Sequence, residues 1–180
     1  MLIKLHGTSG SGKSTVARHL MNLGLTDPCD NGTRVVGIGL LRPLYILGTY
    51  NSQCGGCDTL TAGQQIELIH FYAPRGHVFY EGLLGSEYYG KLGAASEQYG
   101  DKHVFAFLDT PIEVCIERVK ARRLAKGNTN PLNEENTRNR VRKILMLKQK
   151  LTNQGRVVVD IPYLTAGEEV FKLFQEGDRA

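Results

Sequence analysis

Residues 7 to 14 read GTSGSGKS, the pattern G-x-x-x-x-G-K-[ST] with Gly7, Gly12, Lys13 and Ser14 at its fixed positions. An apolar run, LIKLHG, leads into it and a helical pattern, KSTVARHLMNLG, leads out. A strand must therefore pass into a helix through a tight glycine-rich turn. Glycines there let consecutive backbone N–H groups turn inward around an anion, at the positive end of the helix dipole. Gly7, Thr8, Ser9, Gly10, Ser11, Gly12, Lys13, Ser14 and Thr15 are the expected nucleotide-binding stretch. Lys13 is expected to bridge the β- and γ-phosphates of ATP, and the Ser14 hydroxyl to ligate Mg²⁺. A chance glycine-rich turn is the competing reading, and the strand-turn-helix context counts against it.

Apolar runs alternate with helical patterns along the rest of the chain: HVFYEGLL, SEYYGKLGAASEQYG, HVFAFLDT, PIEVCIERVKARRLAKG, RVVVDI and AGEEVFKLFQEG. This is the rhythm of parallel strands joined by crossover helices, an α/β fold with a mainly parallel sheet flanked by helices. Gly24, Gly100, Gly127 and Gly155 fall where helices should stop or loops begin. One stretch departs from the rhythm. TRVVGIGLLRPLYILGTYN holds two β-rich runs, near 34 to 40 and 44 to 50, around Arg42-Pro43, and predicts a strand and a short second strand, in a hairpin that extends the sheet edge.

With 180 residues, 41% hydrophobic and 22% charged, the chain reads as one soluble domain over 1–180, and no apolar run approaches the roughly 18 residues of a membrane span. The start runs directly into the glycine-rich motif, without room for a signal peptide, so a cytoplasmic location and reduced thiols are expected. The motif N-K-x-D that reads guanine is absent. Kinases are the class that the small size favours.

Half of the 22 basic residues lie between 118 and 150: Arg118, Lys120, Arg122, Arg123, Lys126, Arg138, Arg140, Arg142, Lys143, Lys148 and Lys150. Within that stretch only Glu134 and Glu135 oppose them. A polyanionic partner and a merely solvated helix face are both compatible with such a run. In FAFLDTPIEVCIERVKARR a strand is expected to end at Asp109 and Pro111 to open a helix, with Arg118 and Arg122 four apart on one face. With LAKGNTNPLNEEN behind them they form a short lid near 120–136, able to close over a transferring phosphate. The D-x-P and R-x-x-x-R spacing resembles the nucleoside monophosphate kinase group. The resemblance implies a three-layer P-loop kinase architecture, with Arg118 packed on the adenine and Arg122 reaching the phosphates. Arginines that only solubilise the helix are the alternative.

VFYEG, residues 78 to 82, ends a strand on Glu81, where an acid beside the phosphate loop holds a water on Mg²⁺, contacts the acceptor or helps accept its proton. The stretch NSQCGGCDTLTAG, residues 51 to 63, offers three chemistries. Zinc wants four ligands, and Cys54 with Cys57 make one pair only. A redox pair wants a thioredoxin pattern that is not here. A bent loop fits better: Gly55 and Gly56 permit conformations closed to other residues, and Asp58 follows the bend as candidate base for an acceptor hydroxyl. The alternative makes Asp58 the N-cap of the helix in TLTAGQQIELIHFYA, a place Thr61 could take instead.

YILGTYNSQCGGCDTL, together with GTSGSGKST, FYEGLL and LDTPIEVCIERVKARR, resembles a group of bacteriophage P-loop kinases in which Y-x-L-G-x-Y and C-G-G-C-D recur. The resemblance spans nearly the whole chain. It implies ATP- and Mg²⁺-dependent phosphorylation of the hydroxymethyl group of 5-hydroxymethyluracil in DNA, a step towards hypermodified thymine. Tyr50, Gly55, Gly56, Asp58, Glu81 and Tyr88 are the expected acceptor residues, Lys13, Asp58 and Arg122 the expected catalytic ones, and Ser14 and Glu81 the expected metal ligands. A DNA acceptor needs a basic track, which residues 138 to 150 can supply, and aromatic groups to hold an extruded base. Tyr45, Tyr50, Tyr88 and Tyr89 are candidates for the second task, against ordinary packing for at least two of them. A small-molecule kinase and a nucleotide-dependent binding module are the rival readings.

Overall fold

The computed structural model describes residues 1–29, 32–37, 39–51, 56–82, 93 and 97–179. Its spine is a seven-stranded sheet, taken up in the order β2-β3-β4-β5-β1-β6-β7. The strands are β1 (Leu2–His6), β2 (Leu25–Pro28), β3 (Arg34–Gly37), β4 (Leu44–Ile46), β5 (His77–Glu81), β6 (His103–Leu108) and β7 (Val157–Ile161). From β4 to β7 every pairing is parallel, while β2 and β3 pair antiparallel at one edge. The five α-helices among the described residues are α1 (Lys13–Asn22), α2 (Ala62–Tyr72), α3 (Ile112–Ala125), α4 (Glu134–Asn153) and α5 (Ala166–Arg179).

Period-two alternation in β1 distributes these helices over both faces. Ile3 and Leu5 point to one side and pack with Val16, Ala17 and Leu20 of α1 and Val170 and Phe174 of α5. Leu2 points to the other, with Val78, Tyr80 and the α2 residues Leu68, Ile69 and Tyr72. Further along that second face Phe105 and Phe107 take Leu147 and Leu151 of α4. β1 and β5 are buried at every position because helices cover both of their faces.

The second face also carries polar groups. Lys4 is buried with its ammonium 4.5 Å from the centre of the Tyr80 ring. The Tyr80 hydroxyl meets His103 Nε2 at 3.0 Å, and burial drives the His103 pKa down to about 3. At the amino ends of the strands, buried His77 holds Asp178 of α5 at 2.6 Å, and Asp178 accepts from the Leu41 N–H at 2.7 Å.

The expected hairpin forms, with shorter strands. β3 stops at Gly37 and β4 at Ile46, paired from Arg34↔Ile46 to Val36↔Leu44. β4 is an inner strand paired with β5, and the edge belongs to β2, whose polar LTDP carries no strand pattern. β6 ends at Leu108, one residue short of the expected Asp109. The Asp109 N–H still donates to the Ile161 carbonyl of β7 at 3.2 Å, and its carboxylate accepts from the Tyr163 N–H at 2.7 Å. Within 120–136, helix continues to Ala125 and resumes at Glu134, where Asn133 caps α4 by accepting from the Asn136 N–H at 3.3 Å. Among the described residues, no helix is long and apolar enough to cross a membrane. Tyr88, Tyr89, Cys54 and Gly55 lie outside the described residues.

Candidate active site

The segments that follow β1, β4, β5, β6 and β7 meet over the carboxyl ends of the central strands, where open α/β sheets form their ligand crevice. There they enclose a cleft of about 940 Å³. Residues 9–15 form its floor, Arg118 and Arg122 of α3 and Arg140 of α4 one wall, and Asp58 and Glu81 close one end.

The floor is the sequence motif in its expected context: β1 ends at His6 and α1 begins at Lys13. Gly12 takes φ 104°, so the first helical N–H groups face into the cleft. α3 props the loop from behind. Gly10 has φ +82° and a Cβ there would strike the backbone carbonyl of Cys115. The Thr110 hydroxyl donates to the Ser11 carbonyl at 2.8 Å, and Arg118 Nη1 to the Gly10 carbonyl at 3.3 Å. Cys115 is buried, in keeping with its apolar helical surroundings.

Lys13 is buried and spends two of its three donors on the loop itself, at 2.8 Å to the Gly7 carbonyl and 3.1 Å to that of Thr8. Burial lowers its pKa, opposed by the carboxylates of Glu81 and Asp58. Thr8 Oγ1 and Ser11 Oγ are buried without hydrogen-bond partners among the described residues. Orphaned hydroxyls, a lysine held in the turn and forward-facing helical N–H groups together fit a bound phosphate chain. The Ser14 hydroxyl donates to Glu81 Oε1 at 2.9 Å, a pair of oxygen donors suited to Mg²⁺. Burial raises the Glu81 pKa, and Lys13, the Ser14 hydroxyl and Lys4 pull it back.

Asp58 reaches the cleft by way of a sharp bend. Gly56 takes φ +82° and lies so close to the Glu81 carboxyl that a Cβ would overlap it, while its N–H donates to the Thr49 carbonyl at 2.7 Å. A single 3₁₀ turn, Cys57–Thr59, follows. A Cβ on Gly82 would come within 2.9 Å of Asp58 Oδ1, which sets the exposed Asp58 beside buried Glu81. The capping alternative for Asp58 is corrected here. Thr61 caps α2, accepting from the Gln64 N–H at 3.2 Å while Gln64 Oε1 accepts from the Thr61 N–H at 2.9 Å. Cys57 is buried, its thiol pushed up to about 12 by burial, and donates to the Leu47 carbonyl at 3.6 Å. Such a thiol is packing, a poor metal ligand or nucleophile.

Other expected residues go elsewhere. Tyr50 leans on the core and donates to the Leu47 carbonyl at 3.3 Å, with burial raising its pKa well above normal. The Tyr45 ring lies tilted against that of Tyr72, their centres 4.5 Å apart. Arg123 points away from the cleft and donates to Asn128 Oδ1 and the Asn130 carbonyl, fixing the lid turn. The basic run is more compensated than the sequence suggests, because folding brings in Glu113 against Arg138 and Asp160 against Lys148. The sequence reading missed Arg18, His19 and the segment 163–168, which line the cleft around Arg118. The Arg118 guanidinium stands 5.7 Å from the Tyr163 ring centre, and His19 packs flat against Gly167. For 163–168 the available signal was the position just past the last strand, at its carboxyl end, and for Arg18 and His19 their place in the helix that follows the glycine-rich turn.

Three phage proteins resemble the chain. The 5-hmdU DNA kinase of Pseudomonas phage PaMx11 is 38% identical over 170 residues, covering 88% of this chain and 89% of the relative. Those of Delftia phage PhiW-14 and Pseudomonas phage M6 are each 28% identical, over 86% and 93% of this chain and 65% and 94% of their own lengths. No protein-family model matches.

Proposed function

The chain belongs to the family of phage 5-hmdU DNA kinases, and from that premise we propose that it transfers the γ-phosphate of ATP to the hydroxymethyl oxygen of 5-hydroxymethyluracil in DNA. We read the β1-turn-α1 unit as a P-loop and the whole as a P-loop kinase related to the nucleoside monophosphate kinases. The observation that carries the reading is the meeting of two carboxyl groups, exposed Asp58 and buried Glu81, at the end of the cleft that holds Lys13 and Ser14. A nucleotide-binding module has no need of a second acid there; transfer to an alcohol does.

In this mechanism Asp58 is the base, because it is solvent-facing, released from helix capping and next to the phosphate loop. The acceptor oxygen bonds to the γ-phosphorus, the bond to the bridging oxygen breaks to leave ADP, and the hydroxyl proton passes to the Asp58 carboxylate. Lys13 and Arg122 stabilise the charge on the moving phosphoryl group, and Arg118 with Tyr163 holds the nucleotide base. Ser14 and Glu81 would hold Mg²⁺, which when bound neutralises triphosphate charge. Burial gives Glu81 the fixed geometry a ligand needs, and exposure gives Asp58 access to substrate. Gly56 and the bend that carries Asp58 shape the acceptor end, and the basic side chains of α4 receive the DNA backbone.

The test is transfer of label from γ-labelled ATP to oligonucleotides containing 5-hydroxymethyluracil or thymine at one position. Label on the first and not the second is expected. ATP hydrolysis without labelled DNA, or label only on a free nucleoside, would overturn the assignment in favour of a binding module or a small-molecule kinase.

A further inference from the structure

Beside the main cleft lies a second hollow of about 560 Å³, lined by Asn136, Asn139, Arg140, Arg142, Lys143 and Met146 of α4. Arg140 lines both cavities and joins them. Asn139, Arg142, Lys143 and Met146 stand at i, i+3, i+4 and i+7, so they form one stripe, turned away from Leu147 and Leu151, which face the core. At the centre of that polar stripe Met146 is 72% exposed, and Leu145 at its margin is 57% exposed.

The charges of the stripe are unequal. Arg142 is occupied by Glu135 at 3.1 Å and Asn139 at 2.8 Å, and Arg138 by Glu113 and Glu134. Among the described residues, neither Arg140 nor Lys143 has a carboxylate within ion-pair distance. The hollow thus offers two uncompensated cations, the amide side chains of Asn136 and Asn139, and one flexible apolar side chain. Phosphate oxygens, base edges and a base face are the complementary set, and they occur together in a nucleotide. Arg140, Lys143 and Met146 succeed one another at intervals of three residues, each about 4.5 Å of helix axis, of the same order as the ~3.4 Å rise per nucleotide of a strand. A second copy of this chain would bring the same unpaired cations face to face across a two-fold axis, which disfavours self-association here.

Resting on the reading of the cleft as a DNA kinase site, we propose that this hollow is a subsite for the nucleotide next to the target in the acceptor strand. The phosphodiester joining the two lies at Arg140, the neighbour's outer phosphate at Lys143, and its base covers Met146. The acceptor strand therefore enters over α4, and the enzyme recognises a polymer by a contact that a free nucleoside cannot make.

The experiment measures kcat/KM for single-stranded oligonucleotides with one 5-hydroxymethyluracil, in which the neighbour on the 5′ side, the 3′ side or neither is abasic. For the wild type, an abasic neighbour on one side alone should cost roughly tenfold, the size expected when one exposed apolar side chain loses its cover. Met146→Ala should lose the same factor on the intact oligonucleotide and nothing further on the sensitive abasic one. A photo-crosslinking residue at 146 should attach to that neighbour. Indifference of the wild type to both abasic positions, or an equal loss by Met146→Ala on intact and abasic acceptors, would overturn the subsite while leaving the kinase standing. A dimer in sedimentation velocity that Met146→Ala dissociates would assign the patch to self-association instead. Absence of transfer to every oligonucleotide would overturn the kinase reading and the subsite together.

Discussion

The two ends of the cleft are built on different principles. The donor end, residues 7–15, takes its shape from backbone: positive-φ glycines, a helix start, and a lysine turned onto the loop's own carbonyls. The acceptor end depends on side chains brought together from afar, with Asp58 on one loop, Glu81 on a strand, and Gly56 wedged between them. A backbone site tolerates little change in conformation and reads any phosphate alike. A side-chain site can be re-aimed by altering one bend.

The sharpest way to break this contrast is Lys13→Ala. It should lower transfer by roughly 10⁴-fold or more without unfolding the protein, since the charge that follows the moving phosphoryl group is gone. A folded variant with near wild-type turnover would remove the donor end from the mechanism. Asp58→Asn comes next. Transfer should fall by about 10²- to 10³-fold with ATP affinity unchanged, and because Thr61 already caps α2, the melting temperature should hold. Full activity in Asp58→Asn would move the base role to Glu81.

Gly10→Ala probes the backbone end. A side chain at φ +82° pressed on the Cys115 carbonyl should cost about 1–3 kcal/mol, measured by denaturant unfolding, and should weaken ATP binding. Unchanged stability would mean that α3 does not hold the loop. Thr61→Ala carries the smallest expectation. Loss of the capping box should cost about 1 kcal/mol with kcat intact, so a large activity loss at unchanged melting temperature would instead tie the cap to Asp58.

The same contrast explains what could be read from sequence. The donor end was legible because its chemistry is contiguous: eight successive residues specify strand, turn and helix, and Arg118 and Arg122 need only helical spacing to share a face. The parallel core was legible too, since β1, β5, β6 and β7 are apolar runs set between helical patterns. One stretch suggested both a cap and a base for Asp58, and only the Thr61–Gln64 pair shows that the cap belongs to Thr61. β2 was missed because Leu25–Pro28 is a strand by virtue of its partner β3, with exposed and polar positions of its own. The ring of Tyr163 near Arg118 is a contact across 45 residues of sequence, which no local pattern encodes.

Helix α3 is fixed to the glycine-rich turn through Cys115, Arg118 and Thr110 just ahead of it, and it also carries Arg122 into the cleft. Any movement of α3 would therefore disturb residues 10 and 11 of the floor. The seam between α3 and α4 is of another kind, joined by Lys120 to Glu134 and Arg138 to Glu113, ion pairs in contact with water. Such pairs hold with little energy and weaken as salt screens them. Higher ionic strength is therefore expected to loosen that seam, while Leu147 and Leu151 keep α4 seated on the sheet.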